Sequence, residues 1–152
     1  MSTLKEGEKA PDFTAKDQNG NTVSLSDYKD KTIILYFYPK DDTPGCTAEA
    51  CDFRDNYQSL QGKGYQVIGV STDDEKSHKK FETKYSLPFP LIADADKQIV
   101  EAYDVWKEKS MYGKTYMGTA RTTFIIDGDG IIKKIIEKVD TKNSSQQVLD
   151  LV

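Results

Sequence analysis

The chain has 152 residues, 37% apolar and 30% charged, with 21 basic against 25 acidic side chains and a net charge of −4. This length predicts one domain spanning residues 1–152, large enough to bury a core without a disulfide or a metal. The composition excludes a disordered chain, and the acidic balance disfavours a general nucleic-acid binder. The longest apolar run, Ile33 to Tyr38, falls far short of the ~20 residues of a membrane-spanning helix.

Asn19-Gly20, between Phe13 and Val23-Leu25, reads as a hairpin turn. Thr32 to Tyr38 is β-branched, aromatic and continuous, the pattern of a strand buried on both faces at the centre of a helix-covered sheet, and Pro39 ends it. A helix follows. Thr43-Pro44-Gly45 supplies a cap and a proline near the first turn. Cys46, Ala50, Phe53, Tyr57 and Leu60 then step along one helical stripe until Gly62 and Gly64 stop it. Val67 to Val70 is the next strand. The spacing predicts a polar helix from about Glu75 to Tyr85, a short strand at Leu91-Ile92-Ala93 and a short helix over Gln98 to Tyr103. Thr122 to Ile126 and Ile131 to Val139 read as strands joined through Asp127-Gly128-Asp129-Gly130, and Ser144 to Val152 as a final helix. Together these predict an α/β fold: a thioredoxin-like sandwich with a mixed central sheet flanked by helices and an N-terminal β extension.

Cys46 is the most informative residue. It follows a buried strand and opens a helix, where unpaired backbone N–H groups and the positive end of the macrodipole stabilise a thiolate. Thr43 lies three residues upstream, close enough to aim its hydroxyl at the same spot. Pro44 stiffens the loop, and Gly45 allows a close backbone approach or an unusual φ. Free cysteine is also one of the most buried residue types and is commonly an inert hydrophobe; it is the company of Thr43, Pro44 and Gly45 at a helix start that favours reactivity. Cys51 lies five residues on. In an intact helix the two side chains point about 140° apart and their Cα atoms sit about 8.7 Å apart. A disulfide needs less than about 7 Å, so the pair can bond only if the helix start unwinds. There is no C-x-x-C dithiol motif, and with two cysteines and one histidine the usual four zinc ligands are not met without carboxylates.

The segment Phe37-Tyr38-Pro39-Lys40-Asp41-Asp42-Thr43-Pro44-Gly45-Cys46-Thr47-Ala48-Glu49-Ala50-Cys51-Asp52-Phe53-Arg54 closely resembles the active-site segment of peroxiredoxins, and more narrowly of their peroxiredoxin Q or bacterioferritin comigratory protein branch. Gly7 to Phe13, Val67 to Asp73 and Gly118 to Gly130, with Arg121-Thr122-Thr123-Phe124, extend the resemblance from about Leu4 to Val139. The resemblance implies a thiol peroxidase that reduces hydrogen peroxide and organic hydroperoxides. It matches Cys46 to the peroxidatic cysteine, Cys51 to the resolving cysteine of many members, Pro39 to its shield, Thr43 to the hydroxyl that binds peroxide and Arg121 to the arginine that holds thiolate and peroxide. Glu49 matches a recurrent supporting carboxylate. It further implies no metal or organic cofactor, re-reduction by thioredoxin or a similar dithiol, and a monomer, with a dimer as the alternative. A resolving cysteine on a C-terminal extension, found in many peroxiredoxins, is absent from this chain.

Other residues read more plainly. His78 shares a stripe with Phe81 and Tyr85, but its neighbours Lys79 and Lys80 predict a solvated helix edge. Asp73-Asp74-Glu75 suits a helix N-terminus, and Asp127 to Gly130 a turn rather than a calcium loop. Arg54 is a candidate partner for Glu49. Trp106, with Tyr103, Tyr112 and Tyr116, is a candidate pocket wall or contact surface, with ordinary packing as the alternative. Met1 to Lys9 lacks the apolar core of a signal peptide, and two cysteines are too few for a secreted disulfide scaffold, so the expected location is the cytoplasm, with no membrane partner. The competing functions on this fold are a thiol–disulfide redox carrier and a peroxide sensor.

Overall fold

Asn19-Gly20 turns the chain between strands β1 (Thr14–Lys16) and β2 (Thr22–Ser24), which pair antiparallel, and Gly20 takes the φ of +75° that the turn requires. The computed structural model describes residues 4–151. A single 3₁₀ turn over Leu25–Tyr28 leads to β3 (Thr32–Phe37), then helix α1 (Pro44–Gly62), β4 (Tyr65–Ser71), α2 (Glu75–Tyr85), β5 (Leu91–Ala93) and α3 (Gln98–Ala102). The second half adds β6 (Trp106–Met111), β7 (Lys114–Thr119), β8 (Thr122–Ile126), β9 (Ile132–Ile136) and α4 (Ser144–Leu149). Val152, expected at the end of the last helix, lies outside the described residues, as do Met1 to Thr3.

The central sheet runs β5-β4-β3-β8-β9, with β3, β4 and β5 parallel and β8 and β9 antiparallel. It is the expected mixed sheet, and β3 is its middle strand. Because side chains alternate across a strand, β3 feeds two cores. Ile33, Leu35 and Phe37 face one side, with Ile68, Val70, Phe124 and the α3 residues Ile99 and Val100. Ile34, Tyr36 and Tyr38 face the other, with Ala50, Phe53 and Leu60 of α1, Phe81 of α2 and Val148 of α4. Burial on both faces is why the β3 sequence is a continuous apolar run. Among the described residues, no helix is long and apolar enough to cross a membrane.

Two expectations on the fold change. The β6–β7 ribbon pairs Trp106 with Thr119 through to Met111 with Lys114, whereas the sequence suggested no strands there: Lys107, Glu108, Lys109 and Lys114 break the apolar alternation because much of the ribbon faces solvent. His78 does not lie on a solvated edge. Its side chain is 0% exposed, turned inward beside Phe81 while Lys79 and Lys80 take the outer face.

Candidate active site

Cys46 sits in the first turn of α1, with Thr43 at the N-cap position and Pro44 opening the helix. Thr43 has the extended backbone of a cap, but its hydroxyl does not bond the helix N–H groups. Instead Oγ1 donates to the Lys40 carbonyl at 2.8 Å and so ties the loop to itself. The Cys46 side chain is 1% exposed. Pro39, half-buried, follows the end of β3 at the base of the same loop.

Sheet topology brings Arg121 to this helix start. β8 runs antiparallel to β3, and Thr122 pairs with Phe37, so the residue before β8 reaches the end of the sheet that the cysteine loop leaves. Arg121 forks between two groups on α1. Its Nη2 donates to Cys46 Sγ at 3.3 Å, and its Nη1 donates to Glu49 Oε1 at 3.0 Å. Gly45 leaves the room: a Cβ there would stand 3.1 Å from Arg121 Nη2. Its φ is not in the left-handed region, so the close approach is what favours glycine.

Glu49 is fully buried one turn after Cys46. Burial raises its pKa to about 7 against the opposing pull of Arg121 and Ser144. Burial works against the charge of Arg121 too, but the Cys46 and Glu49 contacts outweigh it and hold the guanidinium protonated. Ser144 Oγ donates to the Asp140 carbonyl at 2.7 Å and lies 3.4 Å from Glu49 Oε2, and the next N–H, of Ser145, donates to Asp52 Oδ2 at 2.7 Å. The start of α4 is thereby tied to the helix that carries both cysteines. Neither serine was singled out from sequence; the polar Asn143-Ser144-Ser145 helix start was the one available signal. Lys109 of β6 is half-buried, and burial and then the charge of Arg121 lower its pKa.

Cys51 is half-buried on the same helix, and both cysteines are free thiols. With α1 continuous across them, the pair is not in bonding position. Other candidates are displaced. Arg54 bonds Asp55 at 3.0 Å and the Tyr85 carbonyl at 2.8 Å, leaving Glu49 to Arg121. Tyr103 is buried against Phe37 and Phe124, Tyr112 is 96% exposed, and Trp106 faces Lys97, so the aromatic residues form no common wall. Asp74 caps α2 through Ser77 N–H, and Asp127 closes its turn by accepting from the N–H groups of Asp129 and Ile131.

A thioredoxin-fold sheet with a buried cysteine at a helix start and an arginine on its sulfur defines a class, the thiol-based oxidoreductases. The chain belongs to the AhpC/TSA family, whose family model matches residues 7–135. It is 50% identical over 147 residues to peroxiredoxin Bcp of Bacillus subtilis, covering 97% of this chain and 94% of that one. A PrxQ mutant of Xylella fastidiosa superposes with a TM-score of 0.92 at 32% identity, over 99% of this chain and 96% of that one. The bacterioferritin comigratory protein of Xanthomonas campestris, solved in connection with its alkyl peroxide reduction activity, gives a TM-score of 0.85 at 36% identity, over 91% of this chain and 88% of that one. Membership makes the chain a peroxidase of the peroxiredoxin class, with a peroxide as substrate.

Proposed function

We propose that Cys46 is the peroxidatic cysteine and Cys51 the resolving cysteine of a peroxidase acting on hydrogen peroxide and alkyl hydroperoxides. The observation that carries this reading is the Arg121 guanidinium 3.3 Å from Cys46 Sγ at a helix N-terminus. A thiolate there meets a positive charge and unpaired N–H groups at once. The alkyl peroxide reduction activity of the Xanthomonas relative supports the wider substrate class.

In this mechanism the Cys46 thiolate attacks the terminal peroxide oxygen. An S–O bond forms and the O–O bond breaks; the leaving oxygen takes a proton and departs as water or an alcohol, leaving Cys46 as a sulfenic acid. Arg121, the Thr43 hydroxyl and the Cys46 N–H stabilise the charge that develops on the leaving oxygen, and donors of this kind contribute roughly 3 kcal/mol each. Thr43 Oγ1 turns from the Lys40 carbonyl to do so. Pro39 shields the sulfur. The first turns of α1 then unwind, and the Cys51 thiolate attacks the sulfenic sulfur. The S–S bond forms as the S–O bond breaks, and the hydroxide leaves as water. A thioredoxin-type dithiol reduces the disulfide by exchange. The chain works as one domain in the cytoplasm, as a monomer, and the chemistry needs no bound cofactor.

One equivalent of hydrogen peroxide is expected to remove two hydrogens from the reduced protein, mapped by peptide mass to a Cys46–Cys51 bond. Cys51→Ser is expected to keep the first oxidation and lose turnover with thioredoxin. A Cys51→Ser protein with full thioredoxin-linked turnover would remove Cys51 from the mechanism. Activity without peroxide would favour a redox carrier instead, and a mixed disulfide passed from Cys46 to a client protein would favour a sensor.

A further inference from the structure

The histidine that the sequence placed on a solvated edge is a fully buried titratable side chain packed against the cysteine loop. His78 Nδ1 lies 2.7 Å from Asp41 Oδ2, and Nε2 lies 2.8 Å from the Ile92 carbonyl oxygen. Both oxygens are acceptors, so both ring nitrogens must carry protons for both bonds to form. With Asp41 ionised, this arrangement suits an imidazolium paired with the Asp41 carboxylate. Burial opposes that charge, but the hydrogen bond and charge of Asp41 prevail and raise the pKa of His78 above its ordinary value; the Ile92 carbonyl and then Asp73 act in the same direction.

Asp41 belongs to the loop between β3 and α1, five residues before Cys46. Its carboxylate gathers three donors: His78, Ser77 Oγ at 2.8 Å and the Tyr38 hydroxyl at 2.7 Å. Its own N–H donates to Asp73 Oδ2 at 2.8 Å. The neighbouring Asp42, at a φ of 57°, is held by Lys84 and the Tyr85 hydroxyl, each at 2.8 Å. Helix α2 therefore pins the loop just upstream of Thr43. The residue before Asp41 supplies the carbonyl to which the Thr43 hydroxyl donates. An unbroken line of bonds runs from His78 through Asp41 and Lys40 to Thr43.

The ligand atoms of Asp41, Asp73 and His78 all lie within 4.8 Å of one another. That spacing would suit a cation, but hydrogen bonds already use the atoms it would need. Both His78 nitrogens face oxygens, and Asp73 Oδ2 accepts from Asp41 N–H and Ser71 Oγ. The cluster is a clamp.

We propose that His78 is a positioning residue for the peroxide step: paired with Asp41, it fixes the backbone of the loop from Pro39 to Thr43, and so the place from which the Thr43 hydroxyl turns from the Lys40 carbonyl to the substrate. The inference rests on the proposed role of Cys46 and goes beyond it, since His78 touches neither sulfur nor peroxide. A displacement of about 1 Å in a positioned group can cost 10²-fold in rate, so a clamp on this loop has leverage on the first step.

Two substitutions separate positioning from bulk structure. In His78→Asn the side-chain amide reaches the place of Nδ1 and keeps the bond to Asp41. In His78→Gln it reaches the place of Nε2, keeps Ile92 and leaves Asp41 without this donor. Two rates are measured for each reduced protein: oxidation of Cys46 by hydrogen peroxide, and alkylation of Cys46 by iodoacetamide, which needs the thiolate but not Thr43. His78→Gln is expected to slow the peroxide step roughly 10- to 100-fold, and His78→Asn less than about 3-fold, with alkylation slowed in neither. Equal peroxide rates in the two variants, or equal slowing of both reactions in His78→Gln, would overturn the inference. If neither variant folds, Ser77→Ala takes their place, since it removes another donor to Asp41 from a half-buried position; an unchanged peroxide rate there would overturn the inference as well. Wild-type protein is run alongside. Its failure to oxidise at Cys46 would overturn the reading of Cys46 itself, which separates the two failures.

Discussion

Arg121 divides one guanidinium between a sulfur and a buried carboxylate, and this division sets what each group can do. Two planar donors at fixed spacing serve Cys46 and Glu49 together, which a lysine ammonium cannot reproduce. Arg121→Lys is expected to lower the second-order rate of peroxide reduction by about 100-fold, read by stopped-flow fluorescence, with the fold intact by circular dichroism. Glu49 carries a different signature. Its pKa is about 7 in the folded chain against an ordinary value of 4.5, with burial the larger cause. Between those values the folded state holds a proton that the unfolded state has released, so stability falls as pH rises through the window, by about 3 kcal/mol in all. Glu49→Gln is expected to flatten that slope, giving a Tm that changes less than the wild type's between pH 5 and pH 7 (a window of about two units). An equal slope in both proteins would assign the proton to another group.

At the scale of elements, the proposed mechanism asks two conflicting things of α1. Intact, the helix presents Cys46 at its N-terminus and keeps Cys51 away; the proposed resolution step needs it to unwind so that they meet. What opposes unwinding is visible in its contacts with α4. Ser145 N–H is held by Asp52 Oδ2 at 2.7 Å, directly after Cys51, and Ser144 Oγ lies 3.4 Å from Glu49 Oε2. Asp52 thus caps a helix other than its own. Asp52→Ala is expected to cost about 1 kcal/mol of stability, the usual loss for a cap. It is also expected to speed disulfide formation after peroxide addition, because less structure is lost when α1 opens. Slower disulfide formation in that variant would mean that α4 assists the opening.

For the whole molecule, the sheet decides which residues become neighbours. Gly69 of β4 shows how tightly it is filled: a Cβ there would stand 2.9 Å from the Tyr36 ring and 3.0 Å from Leu91. Gly69→Ala is expected to destabilise the fold by about 1–3 kcal/mol, measured by urea unfolding, because Tyr36 is packed between Tyr38 and Phe53 and has nowhere to move. The same packing carries the site. β3 and β8 lie side by side, so the loop after one and the arginine before the other share one end of the sheet.

Much of this was written locally. The alternation of buried runs with helical stripes gave the bounds of α2 and β5 residue for residue, because each repeats a period that the backbone imposes. Thr43-Pro44-Gly45-Cys46 announced a helix start with a sulfur in its first turn, since capping and macrodipole effects reach only one turn. Non-local choices were not legible. Nothing near Arg121 in the chain says that its second nitrogen serves Glu49, or that Arg54 goes to the Tyr85 carbonyl. Flanking lysines suggested an exposed His78, yet a helix has two faces, and only the packing of α2 beneath Asp41 and Ile92 settled which one the ring took. The sequence by itself determined the fold class, most of the elements (the β6–β7 ribbon excepted) and the helix start that carries Cys46, because those follow from short-range periodicity and helix-end chemistry. The tertiary structure alone decided the partners of Glu49, Arg54, His78 and Asp52, because hydrogen bonds between residues far apart in the chain depend on how the sheet brings its strand ends together.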